Sequence, residues 1–409
     1  VRAFALVLTA AAVLASGCSS PAGDDARVEA GPGVGQDSIA LGVLTDMTGP
    51  FSTSAKLRIT AYELFLEQLN ARGGVCGREV ELRTADHGYD VNRALEGFFR
   101  LEPEVLGFID ITGAPMTEAL EPEILQTRVL AAPASWSASL LGNPHMMVVG
   151  TTYDLDVING MDHLRANGVI RDGDTIGHIH VDSDYGDNGL EGSQFAAQQW
   201  GMRLVTKSVA ETDTDLAEEV AQLRAAGAKA VLLSTAPTQT AVAVGVAAQL
   251  GWQVPFMVNA VGYDPQMLDT PAAPAVLKQV LVVSPIAPFA TDQPGPRAVA
   301  EAFGKAHPDL VPSAFVDHGY ATATAFATVL EKACQAGDLT RDGVLRAFQD
   351  TASVDTGGLT GPLRFSLAGR PSSTQSYVAR PSRDVPGGLE VVAELFESEL
   401  VPLKGTRAR

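Results

Sequence analysis

Residues able to do chemistry gather in a few short stretches of this 409-residue chain. His178 and His180 alternate along an apolar run, with Asp182 and Asp184 just beyond it. Imidazoles beside carboxylates can bind zinc and activate water, the chemistry of a metal-dependent hydrolase. Two histidines two residues apart share one face of a strand, but no second ligand pair accompanies them, so ordinary strand histidines are the preferred reading and no metal is expected. No GxSxG elbow occurs. Where a nucleotide-binding loop would follow the first strand, Thr45-Asp46-Met47-Thr48-Gly49-Pro50 stands instead, so neither a cofactor nor catalysis is expected.

Non-covalent binding fits other residues better. Ser52-Thr53-Ser54, Thr117, and Ser135 with Ser137 stand just ahead of helical stretches. Such residues cap helices. Capping is therefore expected at each; the same helix N-termini gather unpaired N–H groups and positive dipole ends that suit a carboxylate, and that second role stays open. Phe51, Trp136, Tyr153 and Tyr185 lie in neighbouring loops, where they could wall a cleft around an organic ligand with an apolar part; each alone is as well placed in a satellite core.

These groups need a scaffold, and the sequence alternates short β-rich runs with helical stretches. Ile39–Leu44, Glu79–Ala85, Val105–Ile111 and Val129–Ala132 read as strands, separated by helices over Ala55–Arg72, Asn92–Leu101 and Thr117–Gln126. After a helix near Val157–Asn167 the rhythm restarts, with strands Thr175–Val181, Arg203–Ser208, Ala230–Thr235, Phe256–Asn259 and Gln279–Ser284 and helices Leu190–Trp200, Leu216–Ala226 and Thr238–Leu250 between them. Helices Arg297–His307, Asp317–Ala336 and Arg341–Asp350 follow, then strand-like Leu363–Phe365, Tyr377–Arg380 and Leu389–Leu395. The pattern predicts an α/β protein with two Rossmann-like, doubly wound lobes. Ligands bind such sheets beyond the C-terminal ends of the strands, which singles out Thr45–Ser54, Thr112–Thr117, Pro133–Leu140 and Asp182–Asn188.

Composition agrees with two lobes: 46% hydrophobic residues supply ample core, and the length exceeds what one core comfortably holds. A net charge of −19 argues against nucleic acid as a partner. Arg2 precedes an apolar run from Ala3 to Ala15, too short to span a membrane, so residues 1–17 read as a signal peptide. Leu14-Ala15-Ser16-Gly17-Cys18 resembles a bacterial lipobox, with Leu14 one place farther from the cysteine than usual. Lipidation of Cys18 is therefore expected, a plain secretory signal being the alternative. Residues 18–37, rich in Gly, Pro, Ala and Asp, read as a flexible tether. The folded part is then extracytoplasmic, held on the outer face of the cell membrane only through the Cys18 lipid. Cys76 and Cys334 either form a disulfide or remain as two buried thiols.

Thr48-Gly49-Pro50-Phe51, Asn70-Ala71-Arg72-Gly73-Gly74-Val75-Cys76-Gly77-Arg78, Asp86, Pro133-Ala134-Ser135, Asp184-Tyr185-Gly186, Tyr320-Ala321 and Gly361-Pro362-Leu363-Arg364-Phe365 come in an order that resembles the type I periplasmic-binding family of leucine/isoleucine/valine-binding proteins. The resemblance covers about Ser38 to Val392. It implies a solute-binding protein of an ABC importer, monomeric, closing on a small molecule and docking on a membrane permease; a sensory module for a signalling receptor is the alternative. It also implies a three-segment hinge near Gly150–Asp154, Ser284–Pro288 and Gly357–Gly361. Lobe 1 would comprise residues 38–152 and 286–357, lobe 2 residues 153–285 and 358–395, and a frayed tail residues 396–409. By this resemblance Phe51, Ser52, Gly113, Ala114, Ser135, Trp136, Ser137, Thr152 and Tyr153 line one side of the ligand site, and Tyr185, Thr238 and Tyr263 the other. Gly113, Trp136 and Thr238 depart from the amino-acid-binding pattern, and Thr238 stands where an acidic residue would hold an α-ammonium. A buried ammonium without a counter-charge is costly, so a ligand with a carboxylate or polar head, an apolar body and no ammonium is expected.

Overall fold

The computed structural model describes residue 1 and residues 28–405; the expected signal peptide and the lipidation site Cys18 lie outside the described residues. The expected tether is structured over its second half. Glu29–Ala30 (β1) pairs in parallel with Asp338–Leu339, and Val28 and Val34 rest on the first lobe's core. Gly33, at φ 74°, lies so close to the Val105–Leu106 backbone that a β-carbon would come within 2.5 Å of the Leu106 nitrogen. Part of the glycine that suggests flexibility thus serves close backbone approach.

The first lobe is built from β2 (Ser38–Thr45), α1 (Ser52–Ala71), β3 (Glu79–Asp86), α2 (Val91–Leu101), β4 (Gly107–Thr112), α3 (Ala114–Thr127) and β5 (Leu130–Ala134), a parallel sheet in the order β3-β2-β4-β5. The central strands β2 and β4 are covered on both faces, which is why they read as near-continuous apolar runs. Their register aligns Thr45 with Asp86 and Leu44 with Ile111, so the loops that follow open on one edge.

The second lobe comprises α4 (Tyr153–Ala166), β6 (Thr175–Val181), α5 (Asp184–Gln199), β7 (Arg203–Val209), α6 (Ala217–Ala225), β8 (Ala230–Ser234), α7 (Pro237–Gln249), β9 (Phe256–Asn259), α8 (Ala273–Gln279) and β10 (Val280–Ser284). The chain returns to the first lobe as α9 (Pro294–Ala306), α10 (Ala314–Gln335), β11 (Asp338–Leu339) and α11 (Arg341–Gln349). It ends in β12 (Ser376–Pro381), β13 (Leu389–Phe396) and α12 (Val401–Lys404). The second sheet runs β13-β12-β10-β9-β8-β6-β7, parallel except that β12 is antiparallel to both neighbours. Helices α4 and α5 begin earlier than the sequence suggests, so Tyr153 and Tyr185 occupy helical first turns instead of loops.

The lobe crossings are bundled together. Ser372 Oγ donates to Val148 O at 2.7 Å and accepts from Gly150 N at 2.9 Å, while Ala287 N donates to Leu359 O at 2.8 Å. The third crossing differs from expectation. Leu363 and Phe365 are buried in the first lobe's core, Leu363 bridging to Val354 and Phe365 resting on Phe348, so the chain crosses near residues 372–376 and not at Gly357–Gly361. The tail is ordered to residue 405: Leu400 and Val401 share a core with Leu155 and Ile158, and Lys404 pairs with Asp154.

Cys76, after α1, and Cys334, near the end of α10, are joined by a disulfide with Cα atoms 5.8 Å apart. His178 is fully buried, its Nδ1 2.8 Å from Ser193 Oγ and its Nε2 3.0 Å from Ser234 Oγ. Burial pushes its pKa down to about 3. Both ring nitrogens are thus engaged in the lobe interior. Among the described residues no group of three or more His, Cys, Asp or Glu is arranged to hold a metal ion.

Candidate functional site

The loops at the C-terminal strand edges of both lobes, with the first turns of α1, α4, α5, α7 and α10, enclose two joined chambers. The deep one, about 380 Å³, is bounded by Arg58, Tyr89, Thr112, Gly113, Ala114, Trp136, Tyr153, Tyr185, Glu211 and His318 among others. The outer one, about 880 Å³, extends along α7 and α8 and is lined largely by Ala241, Val242, Gly245, Val246, Met267, Ala272 and Ala275. Pro50, Phe51, Ser54, Ala236, Val261 and Phe315 border both, so the space is continuous.

The loop carrying Phe51 is held by a side chain that the capping argument overlooks. Asp46 accepts from Gly49 N and, at 2.8 Å, from Phe51 N. Ser52, Thr53 and Ser54 do not cap α1; Phe51 occupies the cap position without a side-chain bond. Thr117 likewise lies inside α3, its hydroxyl donating to Gly113 O. Carboxylate-assisted loop closure has replaced hydroxyl capping at this helix.

A buried ion pair forms the floor of the deep chamber. Arg58 Nε lies 2.9 Å from Asp110 Oδ2, which also accepts from the Tyr62 hydroxyl at 2.9 Å, and Arg58 Nη2 donates to Thr112 Oγ1 at 2.6 Å. Burial opposes the guanidinium charge, but Asp110 more than offsets this, so the Arg58 pKa is raised. Burial, with Arg58 nearby, pushes His318 well below the usual histidine range, and burial holds the Asp317 carboxyl well above its own. The Arg58 charge on the floor is thus matched by Asp110. Trp136 donates to Val149 O at 2.7 Å, lies 4.6 Å from the His318 ring and meets Tyr153 edge-on. The Tyr185 hydroxyl is buried, donates to no group among the described residues, and has the Thr235 backbone N–H against it. Burial raises the pKa of Tyr185 well above its ordinary value and that of Tyr153 to about 12, so both stay neutral donors.

Of the residues expected at the site, Phe51, Gly113, Ala114, Trp136, Tyr153 and Tyr185 border the deep chamber, and Thr238 and Tyr263 the outer one. The Tyr263 hydroxyl donates to Gly388 O at 2.7 Å. Ser52, Ser135, Ser137 and Thr152 border neither chamber. Ser137 caps the short helical turn over Ala138–Gly142, Thr152 bonds to Asp154, and Ser135 Oγ is buried beside the Tyr153 hydroxyl. Gly113 opens α3 at φ 99°, and a β-carbon there would meet the Tyr89 ring at 2.9 Å and Met116 Cε at 2.2 Å.

Arg58, Tyr89, Glu211, Phe315 and His318 were not anticipated. Glu211 follows β7, a strand end that the strand-edge rule covers but that the selected loops left out. Asp110 gives a signal for Arg58: a carboxylate in the middle of a buried strand requires a partner. Phe315 and His318 enter from α10, which belongs to no strand-end loop.

Among solved structures, the chain is similar to a fatty acid ABC transporter substrate-binding protein from Thermomonospora curvata, with 36% identity, a TM-score of 0.89 and coverage of 92% of this chain and 96% of that one. It shares its fold with a branched-chain amino acid ABC transporter from Thermus thermophilus with bound valine, at 18% identity, TM-score 0.77 and coverage of 91% and 99%. A possible leucine/isoleucine/valine-binding protein from Rhodopirellula baltica SH 1 likewise shares the fold, at 18% identity, TM-score 0.77 and coverage of 87% and 96%. No curated protein sequence matches the chain. The family model described as periplasmic binding protein matches residues 38–385, so the chain belongs to the periplasmic binding protein family, with the extracytoplasmic solute-binding role that membership implies.

Proposed function

We propose that the protein binds a fatty acid between its lobes and delivers it to the membrane permease of an ABC importer. One observation carries the reading: a deep chamber whose Arg58 is matched by Asp110 and whose tyrosines are neutral opens past Phe51 and Phe315 into a larger apolar chamber. An acid group fits the first as an acceptor for neutral donors, and a hydrocarbon chain fits the second, where each buried methylene contributes about 0.8 kcal/mol. The relative from Thermomonospora curvata carries a fatty-acid name and supports the same class. Contacts from both lobes would stabilise the closed form, and a lipid on Cys18 would keep the monomeric protein at the outer membrane face.

Glu211 favours a second reading. It borders the deep chamber and offers the counter-charge for an ammonium that Thr238 lacks. Burial raises its pKa, which weakens but does not remove that capacity. Calorimetry and thermal-shift measurements on delipidated protein separate the two. The fatty-acid reading expects palmitate or a shorter homologue to stabilise the fold, by about 2.7 kcal/mol at a hundredfold excess over Kd, with leucine and valine inert. Glu211→Gln should leave that binding within a few-fold. Stabilisation by leucine or valine that is abolished by Glu211→Gln would replace this reading with the second.

A further inference from the structure

We infer that Gly245 sets the length of hydrocarbon chain the cleft accepts, an inference that rests on the fatty-acid reading. Gly245 lies mid-way along α7 and faces the outer chamber. A β-carbon built there meets only the Ala272 β-carbon, at 3.7 Å, an ordinary contact. Many other buried glycines of the chain are hemmed in: a β-carbon at Gly42 or Gly97 would meet a side chain within 2.7 Å. Glycine at 245 is therefore not required by packing, and its φ is not in the left-handed region that favours glycine. Glycine inside a helix costs about 1 kcal/mol relative to alanine. Ala272, just ahead of α8, lies within contact of that β-carbon and borders the chamber beside it, as does Ala275. These small side chains leave this stretch of wall low where an acyl chain emerging past Phe51 and Phe315 would run. A branched or longer side chain at 245 would project into that path while leaving Arg58, Tyr153, Tyr185 and His318 untouched.

Gly245→Leu and Gly245→Ala, compared with wild type by calorimetry using octanoate and palmitate, test the inference. Gly245→Ala should fold at least as well as wild type, because it removes a helix-interior glycine where a β-carbon has room, and urea unfolding confirms that Gly245→Leu is folded before its affinities are read. Gly245→Leu should keep octanoate affinity within about threefold and lose palmitate affinity by roughly fourfold for each methylene it displaces, the affinity equivalent of one buried methylene. Gly245→Ala should stay near wild type for both acids. Ala272→Leu, from the neighbouring position on the same wall, should reproduce the loss for palmitate. Unchanged palmitate binding in both leucine variants overturns the inference while leaving the fatty-acid reading intact. A wild-type protein that binds neither acid overturns that reading and the inference with it.

Discussion

The Tyr89 hydroxyl lies 3.4 Å from Glu211 Oε1, linking the loop after β3 in one lobe to the loop after β7 in the other across the deep chamber. Tyr89 holds φ at 63°, unusual for a bulky residue, with its N–H donated to His87 Nδ1 at 2.9 Å and its ring 5.0 Å from Phe51. A strained residue kept in place by its neighbours and reaching across a cleft is suited to hold the lobes together. A contact that spans the two lobes would favour the closed form of the proposed binding cycle.

Tyr89→Phe keeps the ring and removes the bridge. Ligand affinity should fall roughly two- to tenfold, matching the net contribution of one hydrogen bond. Calorimetry reads the affinity, and small-angle scattering of the ligand-free variant should show a more open particle. Equal affinity together with unchanged scattering would mean that the contact has no part in closure.

Gly113→Ser tests the space that Tyr89 fills. The new side chain would displace the Tyr89 ring or Met116, and a residue other than glycine at φ 99° is strained in any case. A loss of about 1–3 kcal/mol in unfolding free energy and a weakened ligand are expected from urea titration and calorimetry. A variant that gains leucine affinity instead would show that a hydroxyl here can serve an amino acid, against the argument from the occupied space.

Asp110→Asn should be among the most damaging changes at the site. Arg58 is buried, and its charge is matched by Asp110. Removing one partner of a buried pair leaves an uncompensated charge and costs about 3–5 kcal/mol. Urea unfolding measures the loss, and addition of saturating ligand should recover only part of it. A loss below about 1 kcal/mol would imply that Arg58 finds another partner or reaches water.

The scaffold was legible because parallel strands buried on both faces read as apolar runs of five to eight residues, with helical periodicity between them. The strand limits at β6 and β9 were read to the residue. The third crossing was misplaced because Gly357-Gly358 and Gly361-Pro362 signal turns without saying which core receives Leu363 and Phe365. At the site, residues on strand-end loops were visible, whereas Arg58 lies on the buried face of α1 and pairs with Asp110, 52 residues on, and His318 lies on α10, about two hundred residues after Thr112–Thr117. Sequence position carries no signal for such long-range meetings. The outer chamber was missed for a related reason: Ala241, Gly245 and Ala272 are small, half-buried residues of neighbouring segments, and only the fold places them together on a chamber wall.

The disulfide should matter for stability and not for specificity. Cys76 and Cys334 are 258 residues apart in sequence and tie the loop after α1 to α10, and neither cysteine borders the chambers. A cross-link closing so long a loop restricts the unfolded chain and contributes about 2–5 kcal/mol. The Cys76→Ser, Cys334→Ser double variant should unfold at lower urea with unchanged preference among ligands. Altered ligand preference in a folded double variant would mean that α1 and α10 shift against each other and carry Arg58 and His318 with them.

Asp156 gives stability a pH dependence of defined sign. It is buried on α4, accepts from Ser376 Oγ at 2.6 Å, and burial pushes its pKa from 3.8 up to about 8. Between those values the unfolded chain gives up the proton while the folded chain keeps it, so the unfolded state is favoured as pH rises. Its contribution is therefore full below about pH 4, falls through the interval up to about pH 8, and is level above that. Asp156→Asn keeps an acceptor for Ser376 and removes the titration. Relative to wild type, the variant should be of similar stability at pH 4 and more stable by several kcal/mol at pH 8, measured by urea unfolding at each pH. If the difference between wild type and variant is the same at both pH values, Asp156 titrates in the folded protein as it does in the unfolded chain, and its burial is relieved by water.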